Sequence, residues 1–422
     1  MTLSRSDVQV MDAADPLAGF RERFVIDDDA LIYLDGNSLG RLPKASRTRV
    51  LEVLDREWGG DLIRSWDRDW MQLPTRIGDL IGVELLGAQP GEVVVADTVT
   101  VSLYKAVSAA LDARPGRHTV VIERDNFPTD RYIVESLAQQ RGLTIRWIDQ
   151  VGFNGVSASH LRPLLDETVA VTVLSQVDYR SAALVDMAEL TRMAHAVGAL
   201  TVWDLCHSAG AVAIDLRGDD VDIAVGCTYK YLNGGPGAPA FTFVRQQLQR
   251  DLRQPIWGWW SRREMFDMEQ GYEPEPGIRS WLTGTPGIVS MAAIEPGVAM
   301  IAEAGMAAIR AKSRALTKLA VELYDETLRP LGMGLASPRD PNRRGGHITV
   351  THPEAKALTA ELIRAGMVPD FRRPDGIRLG LAPLTTRFVD VYDVVALLAD
   401  LVASGATQQA GPSLPASATS EL

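Results

Sequence analysis

The chain has 422 residues, 46% hydrophobic and 23% charged, and its 43 Lys and Arg against 54 Asp and Glu leave a formal charge of −11. This apolar content excludes a mainly disordered chain, the acidity argues against a general nucleic-acid coat, and the length accommodates two or three domains of about 150 residues. No run of about 18 uncharged apolar residues suggests a membrane span.

The opening MTLSRSDVQVMDAADP has no apolar signal core. The two cysteines, Cys206 and Cys227, cannot build a disulfide framework, so a reducing cytoplasm is the expected setting. Six scattered His and no CxxC give no zinc signal.

After an N-terminal segment over 1–60, short apolar runs alternate with helical patterns. Strands are expected at Val93–Ala96, His118–Ile122, Val169–Leu174, Leu200–Trp203, Ile223–Gly226 and Ala240–Val244. Their runs are nearly continuous in Val, Ile and Leu, as strands buried on both faces require, and such strands belong to parallel sheets. Helices are expected at Val99–Asp112 behind the capping residues Asp97 and Thr98, at Asp130–Gln140 after Pro128 and Thr129, and at Met187–Val197 ending at Gly198. This alternation predicts an α/β domain over 61–288 with a mainly parallel sheet. A smaller C-terminal α+β domain is expected over 289–403. Ile288–Leu328 reads as helical with a break or kink at Pro296. Strands follow at His347–Thr351 and Ile377–Leu381, with a helix at Ala355–Ala365. The Ser-, Ala-, Gly- and Pro-rich stretch 404–422 reads as a disordered tail.

Four features follow strand ends. Gly226-Cys227-Thr228-Tyr229-Lys230-Tyr231-Leu232-Asn233-Gly234-Gly235 places a lysine directly after a strand and before a glycine-rich turn. Ligands in open α/β sheets sit beyond the carboxyl ends of strands, and a desolvated lysine there is a nucleophile suited to Schiff-base formation. A surface lysine after a strand is the plainer alternative. Asp204, closing a strand with His207 three residues on, could hold a protonated pyridine nitrogen; it could equally cap a helix. Asp97-Thr98-Val99-Thr100-Val101-Ser102 opens a helix with hydroxyls and free amides, an anion site suited to phosphate or an ordinary N-cap. Asp125-Asn126-Phe127-Pro128-Thr129-Asp130 offers a ring to stack on a flat cofactor, or a plain Pro turn. Together the four ask for pyridoxal 5′-phosphate (PLP).

From about Leu31 to Val402 the sequence resembles the kynureninases, PLP-dependent enzymes of fold type I, bacterial type. The most specific pieces are Tyr33-Leu34-Asp35-Gly36-Asn37-Ser38-Leu39-Gly40, Phe127-Pro128-Thr129-Asp130, the Asp204/His207 pair, Tyr229-Lys230-Tyr231-Leu232-Asn233 and Gly376-Ile377-Arg378. Cysteine desulfurases and other relatives commonly carry His before the lysine, where this chain has Tyr229. Where Gly-His is expected after the paired aromatics of Trp257-Gly258-Trp259-Trp260, the chain departs with Ser261-Arg262.

The resemblance implies hydrolysis of L-kynurenine to anthranilate and L-alanine, in tryptophan catabolism or NAD biosynthesis, by a cytoplasmic homodimer with shared active sites and no metal. It implies that Lys230 holds PLP, that Asp204 and Asp130 meet the pyridine nitrogen, and that Phe127 stacks on the ring beside Pro128 and Thr129. Val99, Thr100, Ser175, His207 and Tyr229 would line the cofactor, with Trp259 and Thr285 reaching its phosphate from the partner subunit. Tyr229 would act as acid or base near the β-carbon. Arg378 would clamp the substrate α-carboxylate bidentately, with Asn37 and Ser38 beside it. Trp66 and Thr285 stand where animal members carry His and Asn, which implies a preference for kynurenine over its 3-hydroxy derivative. Another fold-type-I enzyme, a cysteine desulfurase or aminotransferase, is the alternative; a desulfurase needs a mobile-loop cysteine, and both cysteines here lie in apolar segments.

Overall fold

The computed structural model describes residues 3–149 and 152–405. Seven strands form the central sheet: β1 Val93–Ala96, β2 Thr119–Glu123, β3 Thr144–Ile148, β4 Val169–Ser175, β5 Leu200–Asp204, β6 Ile223–Gly226 and β7 Ala240–Val244. They lie in the order β1-β7-β6-β5-β4-β2-β3, all parallel except β7, which runs against both neighbours. Every residue of the strands other than β3 is buried. Val93, Val95, Val121 and Trp203 face one apolar layer; Val94, Val120, Val171 and Val202 face the other. Two covered faces explain why these strands are nearly continuous apolar runs. The edge strand β3 is only partly buried and carries Arg146 and Trp147, so it lacks that signature.

Helices α1 Val99–Asp112, α2 Pro128–Arg141 and α3 Met187–Ala196 follow β1, β2 and β4. The helical stretch after residue 288 breaks elsewhere than at Pro296. Its pieces are Ile288–Ala292, Ile294–Ala304 and Met306–Leu323, so the breaks fall at Ala293 and Gly305. Pro296 sits in the first turn of the middle piece, where an amide has no intrahelical acceptor and its absence costs nothing.

A second sheet contains β8 Gly334–Leu335, β9 His347–Thr351, β10 Asp370–Arg372 and β11 Gly376–Gly380, antiparallel in the order β10-β11-β9-β8. Ile348, Val350, Ile377 and Leu379 pack under the helices Met306–Leu323, Ala355–Arg364 and Phe388–Ser404. By strand alternation, His347, Thr349 and Arg378 occupy the opposite face. The N-terminal part is woven into this unit. Arg5–Ala13 lies along Phe388–Ser404, with Asp12 accepting the amides of Phe388 and Val389 at 2.7 and 3.0 Å, and Ile32–Tyr33 pairs in parallel with Met367–Val368. The final helix extends to Ser404, the first residue of the expected tail; residues from 406 on lie outside those described.

Gly226, the last residue of β6, is overlain by the Phe241 ring, so an added Cβ would collide with that ring. Overpacking of this kind costs about 1–3 kcal/mol. Gly226→Ala should lower the midpoint of thermal unfolding, and the second change Phe241→Leu should recover part of the loss.

Candidate active site

The turn after β6 is fixed by its own backbone. The Asn233 amide donates to the Lys230 carbonyl at 2.9 Å, Gly234 donates to Thr228 at 2.8 Å, and the Thr228 hydroxyl donates to Pro239 at 2.6 Å. Asn233 takes the left-handed conformation the turn needs, with φ 57°. This presents a half-buried Lys230 with Nζ 2.9 Å from His207 Nε2 and 5.8 Å from the centre of the Phe127 ring. Gly40 donates to the Tyr229 carbonyl at 2.8 Å, so the N-terminal segment rests on the same turn. Burial raises the pKa of the Tyr229 phenol, with the Cys227 and Cys206 side chains and Asp204 adding to it.

Opposite the amine lie buried carboxyl groups. Asp204 ends β5 and accepts the Cys206 amide at 2.7 Å. Asp130, in the first turn of α2 behind Phe127, Pro128 and Thr129, has an Oδ2 without a hydrogen-bond partner. Its pKa is raised by burial, then by Asp204 and Glu123, against the pull of Lys230. Glu123 closes β2 and accepts the Ser175 amide at 2.9 Å; burial pushes its carboxyl up to about 8. Ser175 in turn donates to Asn126 Oδ1 at 2.9 Å, leaving Asn126 Nδ2 unpaired. Phe127 makes a T-shaped contact with Tyr179, ring centres 5.3 Å apart, and Lys230 Nζ lies over its ring.

Helix α1 begins directly after β1. Thr98 caps it by accepting the Val101 amide at 3.3 Å, which leaves the amides of Val99 and Thr100 without intrahelical acceptors and the Thr100 hydroxyl exposed. Beneath it, Lys105 is buried. Its ammonium donates to Asp97 at 2.7 Å and to the Trp281 carbonyl at 2.5 Å, while Thr283 donates to the other oxygen of Asp97 at 2.8 Å.

Arg378 on β11 is not a solvated strand arginine: it is 1% exposed. Its Nε and Nη2 grip Asp370 at 3.0 and 2.5 Å, Nη2 also donates to Ser38 at 2.8 Å, and Nη1 donates to the Tyr179 carbonyl at 2.6 Å. Asn37, oriented by this network, accepts from Nε at 2.9 Å and Nη2 at 3.2 Å. The absence of a side chain at Gly380 makes room for Asn37. The two-pronged edge of the guanidinium, expected to meet substrate, is therefore filled by Asp370. Beside it stands His347, fully buried and with neither ring nitrogen hydrogen-bonded.

The structure thus brings together Lys230, Tyr229, His207, Asp204, Asp130, Phe127 and Ser175 at the carboxyl ends of the central strands, with Arg378, Asn37 and Ser38 on the side of the small sheet. Three expected residues stand apart within one chain. Trp66 packs against Trp70 and Trp260 with ring centres 5.1 and 4.9 Å away. Trp259 touches Trp260 and Phe266, and its indole donates to Met265 at 2.9 Å. Thr285 lines a cavity of about 250 Å³ with Asp97, Pro239 and Thr283. Glu123, Asn126, Lys105, Asp370 and His347 join the site without a role of their own in the sequence motifs. Glu123 and Asp370 carry a legible sign, a carboxylate at the end of a strand and one two residues from Arg372 on β10; nothing local marks the others.

Glu123 makes a testable contribution. Its folded pKa, about 8, lies above the usual value of 4.5, so the folded state binds the extra proton between these values. Its stability contribution is complete below about pH 4.5 and is lost as pH rises through about 8. Glu123→Gln keeps an acceptor for Ser175 and should flatten this decline in thermal unfolding of the cofactor-free protein from pH 5 to 8.5.

Comparison with known proteins places this arrangement. Residues 309–398 match the family model of the kynureninase C-terminal domain. Kynureninase from Pseudomonas fluorescens is 43% identical over 406 residues, 94% of this chain and 95% of that protein, and the Burkholderia pseudomallei kynureninase gives the same figures. Among solved structures, a cysteine desulfurase from Thermococcus onnurineus superposes with a TM-score of 0.76 at 18% identity, covering 96% of this chain and 99% of that one. A cysteine desulfurase from Escherichia coli gives 0.76 at 17% identity over 92% and 98%. At that identity these structures establish the fold, the α/β fold of type I, and the sequence relatives establish more: the chain belongs to the kynureninase family.

Proposed function

We propose that the chain hydrolyses L-kynurenine to anthranilate and L-alanine with PLP held around Lys230. The observation that carries this is Lys230 Nζ 2.9 Å from the buried His207, with the charge of Lys230 acting on Asp130 and those of Lys230 and Arg378 acting on His207. The cofactor fits the residues present. Asp130 Oδ2 and Asp204 suit a cationic ring nitrogen, the Phe127 face suits the ring, the start of α1 at Val99 and Thr100 suits the phosphate, and Lys230 Nζ, paired with an imidazole and no carboxylate, suits the aldehyde carbon.

When bound, PLP supplies an electron sink for carbanionic character on the substrate carbons. The chain's own residues do the rest. Lys230 Nζ, freed when substrate takes its place, moves the α-proton. Water adds to the γ-carbonyl, the Cβ–Cγ bond breaks, the aryl carbonyl leaves as the carboxyl group of anthranilate, and the β-carbon takes up a proton to become the methyl of alanine. Burial keeps the Tyr229 phenol protonated, which suits the residue next to Lys230 to donate to the β-carbon. Arg378 holds the substrate α-carboxylate at the other end, with Asn37 and Ser38 bracing its guanidinium. The buried state of Cys206 and Cys227 leaves no exposed thiol for the desulfurase alternative.

We further propose a cytoplasmic homodimer in which the partner subunit's segment around Trp259 and Thr285 completes each site. Trp257, Phe266 and Met268 in this segment are 62–70% exposed, an apolar patch that pairing would cover. Among the described residues, no single helix is long and apolar enough to cross a membrane.

Lys230→Ala should abolish the cofactor's yellow absorbance and lower kcat by more than about 1,000-fold, read as anthranilate fluorescence. Wild-type protein that releases sulfide from cysteine and no anthranilate from kynurenine would select the desulfurase alternative. If Trp66 and Thr285 shape the aryl pocket, kcat/KM should favour kynurenine over 3-hydroxykynurenine by about 10- to 100-fold, since pockets discriminate weakly against one added hydroxyl; equal or reversed values refute their roles. Light scattering should give twice the chain mass of 45.9 kDa.

A further inference from the structure

His347 lies between the two ends of the site and has no assigned task. On β9 it pairs with Gly380 of β11, two positions along from the Thr349–Arg378 pair, so its side chain shares the face that carries Arg378. On its other side its ring centre is 5.5 Å from that of His207, whose Nε2 meets Lys230. It is completely buried, and neither ring nitrogen makes a hydrogen bond, although the Tyr179 carbonyl is close enough to favour a proton on the ring. Burial dominates, followed by the charges of Arg378, Arg372 and Lys230, so the imidazole stays neutral and carries a single N–H. A buried imidazole with both nitrogens unsatisfied is costly unless a ligand pairs with it.

The donors of Arg378 say which ligand. A guanidinium has five N–H groups. Nε and one Nη2 hydrogen serve Asp370 and the other Nη2 hydrogen serves Ser38, with Nε and Nη2 shared with Asn37, and one Nη1 hydrogen serves the Tyr179 carbonyl. One Nη1 hydrogen is left. Asp370 is itself held by Arg372 at 2.7 Å, so it is anchored on two sides. An incoming carboxylate can take one N–H from Arg378 and needs a second donor for its other oxygen. We propose that His347 is that donor: it contacts the substrate α-carboxylate directly, and Arg378 binds the same carboxylate through Nη1 alone.

This rests on the assignment of Arg378 to the substrate carboxylate, so both residues are tested together. The holoenzyme is titrated with L-alanine and with ethylamine, which lacks the carboxylate, and binding is followed by the cofactor's visible absorbance. His347→Phe should weaken L-alanine about 10- to 100-fold, the effect of losing a hydrogen bond to a charged group, and leave ethylamine within about twofold. His347→Gln, which restores an N–H, should recover most of the loss. Equal weakening of both ligands, or no weakening of L-alanine, overturns the proposal. Should His347→Phe fail to fold, His347→Ala and His347→Gln give the same comparison. Arg378→Lys separates the two readings. A selective loss of L-alanine in Arg378→Lys alone overturns the role of His347 and keeps that of Arg378. No selective loss in either variant removes both.

Discussion

A sheet covered on both faces can show polar groups only at its ends. That constraint organises this protein. The inner strands are buried along their whole length, so Glu123, Ser175, Asp204 and the Lys230 turn stand together where β2, β4, β5 and β6 stop. Glu123, Ser175 and Asp204 are each one step past an apolar run, Lys230 stands four residues past the end of β6, and the pairing of β4 with β5 sets Ser175 opposite Asp204. The low dielectric of this place gives its groups their character: Glu123 and Asp130 resist ionisation, the His207 and His347 imidazoles stay neutral and the Tyr229 phenol keeps its proton.

Much of this was legible beforehand because one physical cause leaves a plain trace. Double burial writes itself as unbroken Val, Ile and Leu, and six of the seven strands were placed within a residue or so at each end. A group at a strand end is found by counting from the run, which is how Asp204, Lys230 and the opening of α1 come to notice. The edge strand β3 escaped because half of it meets solvent and needs no apolar continuity. The helix breaks at Ala293 and Gly305 escaped because proline draws attention, yet proline in a first turn disturbs nothing.

The side facing the small sheet was less legible. Arg378 and Asp370 lie across a strand pair and His347 on the next strand over, so their meeting depends on register, which no local pattern records. The resemblance supplied Arg378 but not the carboxylate already in its grip. Lys105 likewise looks like one more polar residue on a helix. Its role, holding Asp97 and the Trp281 carbonyl under the start of α1, exists only once segments from opposite ends of the large sheet's sequence are folded together.

The stretch from Leu34 to Gly40 joins these two halves. Leu34 accepts the Gly380 amide at 2.6 Å, Asn37 and Ser38 hold Arg378, and Gly40 is hydrogen-bonded to Tyr229. One short peptide therefore spans the carboxylate end and the amine end of the pocket. A displacement of the small sheet would therefore pull directly on the turn that carries Lys230, because the segment from Leu34 to Gly40 is a single tether between them.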